Sequence, residues 1–138
     1  MAYTNVDLIG DSLREIGVLS EIETASAEQG AHGLRKLNQM MAERSELADY
    51  MGWFRQTSTG DNCPITEDWE SYVMCALAAR LAPNYGATVS TELAAQIVDA
   101  ESRLLRAYTN SNLPELDMSN RPRAEGSYSR RGRILTDT

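Results

Sequence analysis

Apolar side chains in this chain recur three and four residues apart, and each such run is closed by a residue that stops a helix. Leu8, Ile9, Leu13 and Ile16 line one face of a helix over 5–16. Thr4 is placed to cap it, Asp7 to complete a capping box, and Gly17 to end it in a left-handed conformation. The spacing predicts a second helix over 25–48, capped by Thr24, with Ala27, Ala31, Leu34, Leu37, Met41 and Ala48 inward and Met40 and Leu47 widening the stripe. A third spans 67–82. Thr66 caps it, Glu67, Asp68 and Glu70 suit its positive end, and Pro83 stops it. Trp69, Val73, Ala76, Leu77 and Leu81 form its inner face. A fourth spans 91–108 from Ser90, with Leu93, Ile97, Leu104 and Tyr108 broadened by Ala94, Ala100 and Leu105. The expected fold is all-α, a small bundle of about four helices.

Two glycines interrupt the second pattern. Gly30 and Gly33 either admit another helix at close range or mean that the helix starts later, since each costs about 1 kcal/mol in an exposed helix interior. Between the second and third helices, Tyr50 to Thr57 reads as one arm of a β-hairpin or as an extended segment. Gly60, Asp61, Asn62 and Pro64 then supply turn chemistry. Trp53 and Phe54 stand side by side near this tip. Either they close over the bundle or they form a contact for a neighbouring subunit, where Trp is favoured.

The 138 residues suggest a helical domain over 1–108 and an extended tail over 109–138. The net charge of −7 is unevenly spread: the first 118 residues hold 8 basic and 18 acidic side chains, the last 20 hold 5 arginines and 2 acids. An acidic body argues against a DNA-gripping domain. The tail has too few apolar residues for a core of its own, yet Leu113, Leu116, Met118, Tyr128, Ile134 and Leu135 are spaced anchors. Its arginines fit three uses: a nucleic-acid arm, a docking tail pairing with carboxylates, or a solvated end. The interspersed anchors favour docking. Two cysteines make no disulfide framework or zinc spacing, and reduced thiols inside a cell are expected. The opening residues lack the features of a signal peptide, and no run approaches the roughly 20 apolar residues of a membrane span.

Catalytic chemistry finds little support. His32 is the sole histidine, lies between Ala31 and Gly33, and has no candidate nucleophile nearby in sequence. Neither GxxxxGK[ST] nor GxGxxG occurs. Glu43/Glu46 and Glu67/Asp68 offer carboxylate pairs of the kind a cell-wall hydrolase uses, but acids are abundant enough here to pair by chance. No acid cluster has loop-type metal spacing. The expectation is a non-enzymatic protein without cofactor or metal.

The order "DSLREIGV", "LNQMMAERSE" and "ALAARLAPNYG" resembles the head-to-tail adaptors of short-tailed phages, also called tail accessory factors or packaged-DNA stabilisation proteins. The likeness covers about residues 7–108, and "ARLAPNY", Ala79 to Tyr85, is its most specific part. The resemblance implies a mainly helical virion protein at the head–tail junction, assembled in the host cytoplasm into a ring of about twelve copies under the portal protein. It implies that the ring continues the DNA channel, lets double-stranded DNA pass without sequence-specific binding, helps retain the genome and receives a downstream tail or nozzle protein. No membrane is involved. By position, the portal-docking residues would be Arg121, Arg123, Tyr128, Arg130, Arg131, Arg133, Ile134 and Leu135. Trp53, Phe54, Arg80 and Tyr85 are the candidates for subunit contacts. For Arg80 the plainer reading is a residue that complements the helix dipole and reaches freed carbonyls or an acid. A nucleic-acid-binding module acting through the tail is the main alternative function.

Overall fold

The structure, a computed structural model, describes residues 3–112. Among these there are five α-helices and no strand: α1 (Asn5–Glu15), α2 (Ala27–Glu43), α3 (Ser45–Met51), α4 (Glu67–Leu81) and α5 (Thr91–Ser111). A 3-10 turn, Ala82–Tyr85, follows α4. No helix among the described residues is long and apolar enough to cross a membrane.

α1 starts as its capping box requires. The Thr4 hydroxyl accepts from the Asp7 amide at 3.3 Å, and the Asp7 carboxylate accepts from the Thr4 amide at 3.0 Å. Leu8, Ile9 and Leu13 are fully buried. Gly17 then takes φ +80°, the left-handed conformation that favours glycine. α2 begins two residues later than expected, with Ser26 and Gln29, not Thr24, as its capping box. Ala27 and Ala31, expected inward, face solvent, and Leu34, Leu37 and Met41 carry the buried stripe. Gly33 lies inside the helix, and a Cβ there would stand 2.5 Å from the Ile9 Cγ2 of α1. Of the two meanings of this glycine, close helix approach is the one observed.

The single helix expected over 25–48 is two helices. Arg44, with φ −133° and ψ 60°, breaks the path, and α3 sets off in a new direction with Leu47, Ala48 and Met51 buried. α3 ends in a Schellman motif: the Trp53 amide donates to the Ala48 carbonyl and the Gly52 amide to the Asp49 carbonyl. Gly52 has φ +94°, and a Cβ there would sit 3.0 Å from the Pro64 carbonyl oxygen.

The connection from Gly52 to Thr66 is an extended strap, not a hairpin. Its single sheet-like contact among the described residues is an isolated antiparallel bridge, Thr4 with Asn62. It has no partner strand because its hydrogen bonds go to helices instead. The amides of Asn5 and Val6, which open α1, donate to the carbonyls of Asp61 and Thr59, each at 2.9 Å. These are donors that a helix start leaves unpaired within itself. Asn38 of α2 grips the strap at Gln56, accepting from its amide at 3.1 Å and donating to its carbonyl at 2.8 Å. Asn5, fully buried, donates to the Gln56 side chain and to the Ser58 carbonyl.

α4 is the central helix, packed against α1, α2 and α5. Its buried residues, Val73, Cys75, Leu77, Ala78 and Leu81, wrap more than one face, as a helix with neighbours on several sides requires. α5 closes the bundle with Leu93, Ala100 and Leu104 and runs about two turns past Leu104, to Ser111. The tail candidates Arg121, Arg123, Tyr128, Arg130, Arg131, Arg133, Ile134 and Leu135 lie outside the described residues.

Candidate functional site

The "ARLAPNY" run forms a corner that ties three elements together. α4 ends at Leu81, and Pro83 fits the 3-10 turn that follows because its missing amide hydrogen is not needed in a first turn. Gly86 ends the turn at φ +68°. Arg80, in the last turn of α4, reaches to the end of α2 and donates from both terminal nitrogens to the Glu43 carboxylate, at 2.6 and 3.0 Å. A planar guanidinium fork and a carboxylate match in this way. The pair holds the Glu43 carboxyl below its ordinary pKa and raises that of Arg80, in each case chiefly through the shared hydrogen bonds. The Tyr85 ring meets His32 of α2 edge-on, with centroids 6.0 Å apart.

Trp53 and Phe54 part company. Trp53 is 7% exposed and belongs to the core, whereas Phe54 is 66% exposed beside it. The alternation along the extended strap sends neighbouring side chains to opposite sides. Phe54 borders a shallow depression that Met41, Ala48 and Trp53 help to line.

A larger depression escaped the sequence reading. It holds about 460 Å³ between α2, α4 and α5, floored by Ala76 and Ala79 and flanked by Met40 and Ile97. Two ion pairs span its rim: Arg80 with Glu43, and Arg44 with Glu101 at 2.8 Å. The partners are 37 and 57 residues apart, so no local pattern announces them. The alanines that floor it were legible only as small residues.

The carboxylates considered for hydrolysis sit in environments unlike a general acid's. Glu43 is held ionised by Arg80, the opposite of the raised pKa such a group needs. Glu46 accepts from the Tyr108 hydroxyl at 3.2 Å. Glu67 and Asp68 are exposed at the start of α4. No group of three or more His, Cys, Asp or Glu side chains among the described residues is placed to hold a metal ion. Cys63 and Cys75 are free thiols, and burial raises the pKa of both.

The His32 imidazole is harder to protonate than a free one. Desolvation lowers its pKa first, and the charges of Arg35 and Lys36 add to this. A histidine with a lowered folded pKa binds fewer protons than its unfolded form, so stability rises with pH across the interval just below 6.5. The chain has one histidine, so its imidazole resonances titrate without overlap. Their midpoint is expected below 6.5, and His32→Gln should flatten that part of the stability profile. A midpoint at or above 6.5 contradicts the desolvation of the ring beside Arg35 and Lys36.

No family model and no curated protein matches the chain.

Proposed function

We propose that the chain is a structural adaptor subunit that docks beneath a phage portal as part of a ring, with its Arg-rich tail on the portal. The observation that carries this reading is the Ala79–Tyr85 corner. The run most specific to those adaptors is also where α4, α2 and the approach to α5 are pinned, by the Arg80–Glu43 fork and the Tyr85–His32 contact. A pinned corner gives each copy the same fixed angle between helices, which a ring closed by heterologous contacts needs. Phe54 offers an exposed aromatic for such a contact. The acidic body suits a channel wall that repels DNA phosphates and lets the genome slide.

Purified protein mixed with portal rings is expected to give a stoichiometric complex by electron microscopy and light scattering. Deleting residues 119–138 should weaken that complex by about tenfold or more, equivalent to roughly 1.4 kcal/mol, and leave thermal unfolding of the body unchanged. Failure of the full chain to bind portal removes the adaptor reading. Unchanged affinity after the deletion removes the tail's part in it.

A second reading rests on the five arginines of the last 20 residues, which suit contacts to nucleic-acid phosphates. It requires DNA affinity that falls steeply with salt and vanishes with the tail. A flat titration excludes it.

A further inference from the structure

The side of α5 that points away from the bundle carries no charge. Leu93, Ala100 and Leu104 are buried on its inner side. Opposite them stand Ala94, Ala95, Val98, Ser102 and Leu105, all exposed, Val98 at 67% and Leu105 at 39%. At 3.6 residues per turn these five fall within a sector about 100° wide. Continued to Thr91 and Thr109, the uncharged face is about 28 Å long. The helix is not short of charge, but its charged residues lie outside that sector: Glu92, Asp99, Arg103 and Arg106 along one edge, Glu101 on the other. The outward face of a surface helix is ordinarily its charged one. A valine and a leucine exposed on an uncharged face of this length are the mark of a contact surface.

The order of charges along its edge identifies the occupant. The acids come first, Glu92 and Asp99, and the arginines last, Arg103 and Arg106. We propose that two copies of this chain pair through the outward face of α5, antiparallel and related by a two-fold axis near residue 100. In such a pair each edge meets the same edge of the other copy, run in reverse. Val98 of one copy then stands opposite Ser102 of the second. Asp99 comes to Arg103 of the second copy and Glu92 to its Arg106, each within two residues of exact register, about 3 Å along the axis. The two-fold axis makes every one of these pairs twice. A parallel pair would instead set like charge against like, which disfavours it. Within one copy Asp99 and Arg103 are 3.7 Å apart and exposed, so exchanging that pair across the contact costs little. On the other edge Glu101 approaches its own copy, but Arg44 neutralises it at 2.8 Å. The alanines and Ser102 let the two helix axes approach to about 8 Å. The contact buries on the order of 1,000 Å² over both copies, at the low end of specific interfaces. A pair half dissociated at roughly tens of micromolar is expected. A two-fold contact closes on itself, so association stops at two. None of this requires a portal, and it stands apart from the adaptor reading.

Analytical ultracentrifugation of the full chain over a concentration series tests this. The mass is expected to rise from one copy to two and no further. Val98→Glu places a charge at the centre of the face, on an exposed residue that the fold does not need, and should weaken the pair at least tenfold with the thermal unfolding of the dilute protein unchanged. R103E/R106E should weaken it similarly, and so should E92R/D99R. An equal mixture of these two variants should restore a dimer holding one copy of each. Orientation is read by cysteine crosslinking: V98C mixed with S102C is expected to join 98 to 102 under mild oxidation, located by peptide mapping. A single-copy mass up to about 0.5 mM overturns the proposal, whether the face stays bare or another part of the same chain covers it. An open series of larger oligomers overturns it as well, since that is a heterologous contact. So does a dimer that survives Val98→Glu, a mixture of charge variants that stays monomeric, or V98C that joins chiefly to itself.

Discussion

Asn38→Ala is expected to cost about 2–4 kcal/mol and to free the middle of the strap. The side chain of Asn38 satisfies both backbone groups of Gln56, which is 4% exposed. Removing it leaves a buried donor and a buried acceptor without partners, each worth about 1–3 kcal/mol. The site has little slack. The Oδ1 of Asn5, in the same network, is already buried without a partner, and the Gln56 side chain is used twice, accepting from Asn5 and donating to the Phe54 carbonyl. Urea unfolding should show a lower midpoint at unchanged slope. Hydrogen exchange should accelerate at Gln56 before it does in α4. Asn38→Asp keeps the acceptor and loses the donor, so it should fall between wild type and alanine. A cost below about 1 kcal/mol for alanine would mean that water replaces the clamp.

Gly33→Ala should destabilise the protein by about 1–2 kcal/mol, against the usual direction for glycine in a helix. Alanine gains up to about 1 kcal/mol of helix propensity. Its methyl group, however, would lie 2.5 Å from Ile9 Cγ2 and 3.1 Å from Cγ1, and Ile9 is fully buried. Overpacking of this kind costs about 1–3 kcal/mol. Ile9→Leu removes the Cγ2 branch at the point of collision, so the double variant should be more stable than the sum of the single changes. A double-mutant cycle by thermal unfolding measures that coupling. If Gly33→Ala stabilises, the approach of α1 to α2 is looser than the structure describes.

These two sites differ in how visible they are in the sequence. Helix starts with a capping box could be read directly, as at Thr4 and Asp7, because the partners are three residues apart. At Ser26 the same signature occurs with Gln29, but Thr24, two residues earlier, is an equally good cap by residue type. Buried stripes were legible wherever large aliphatic residues fell at helical spacing: Leu8, Ile9, Leu13, Leu37, Leu77, Leu81 and Leu104 are all fully buried. Alanines were not, because Ala31 and Ala78 look alike in sequence and lie on opposite sides of the burial boundary. The break at Arg44 had no glycine or proline to announce it. It arises from tertiary packing, which needs Met41 on one side and Leu47, Ala48 and Met51 on the other to reach one core. Of the hairpin arm and the extended segment that the sequence allows here, the extended one is observed, and the sequence leaves both open because turn residues mark a reversal without naming its hydrogen-bond partners. Those partners, Asn5 and Asn38, sit on distant helices. Of the candidate site, the corner at Pro83 was readable, and so was the helix-end arginine. Its carboxylate on α2 was not.

The contacts between the strap and the start of α1 have a consequence for the order of events during folding. The amides of Asn5 and Val6 find their acceptors at Asp61 and Thr59, more than fifty residues later. The Cys63 amide likewise donates to the Tyr3 carbonyl. During synthesis, α1 therefore emerges well before the residues that complete its first turn exist. It must wait with that end frayed until the strap has left the ribosome. Closing a loop of this length carries an entropy cost that nearby helical contacts do not. The last part of α1 to become fixed is thus its beginning, and mutations at Thr59 or Asp61 should speed unfolding more than they slow folding.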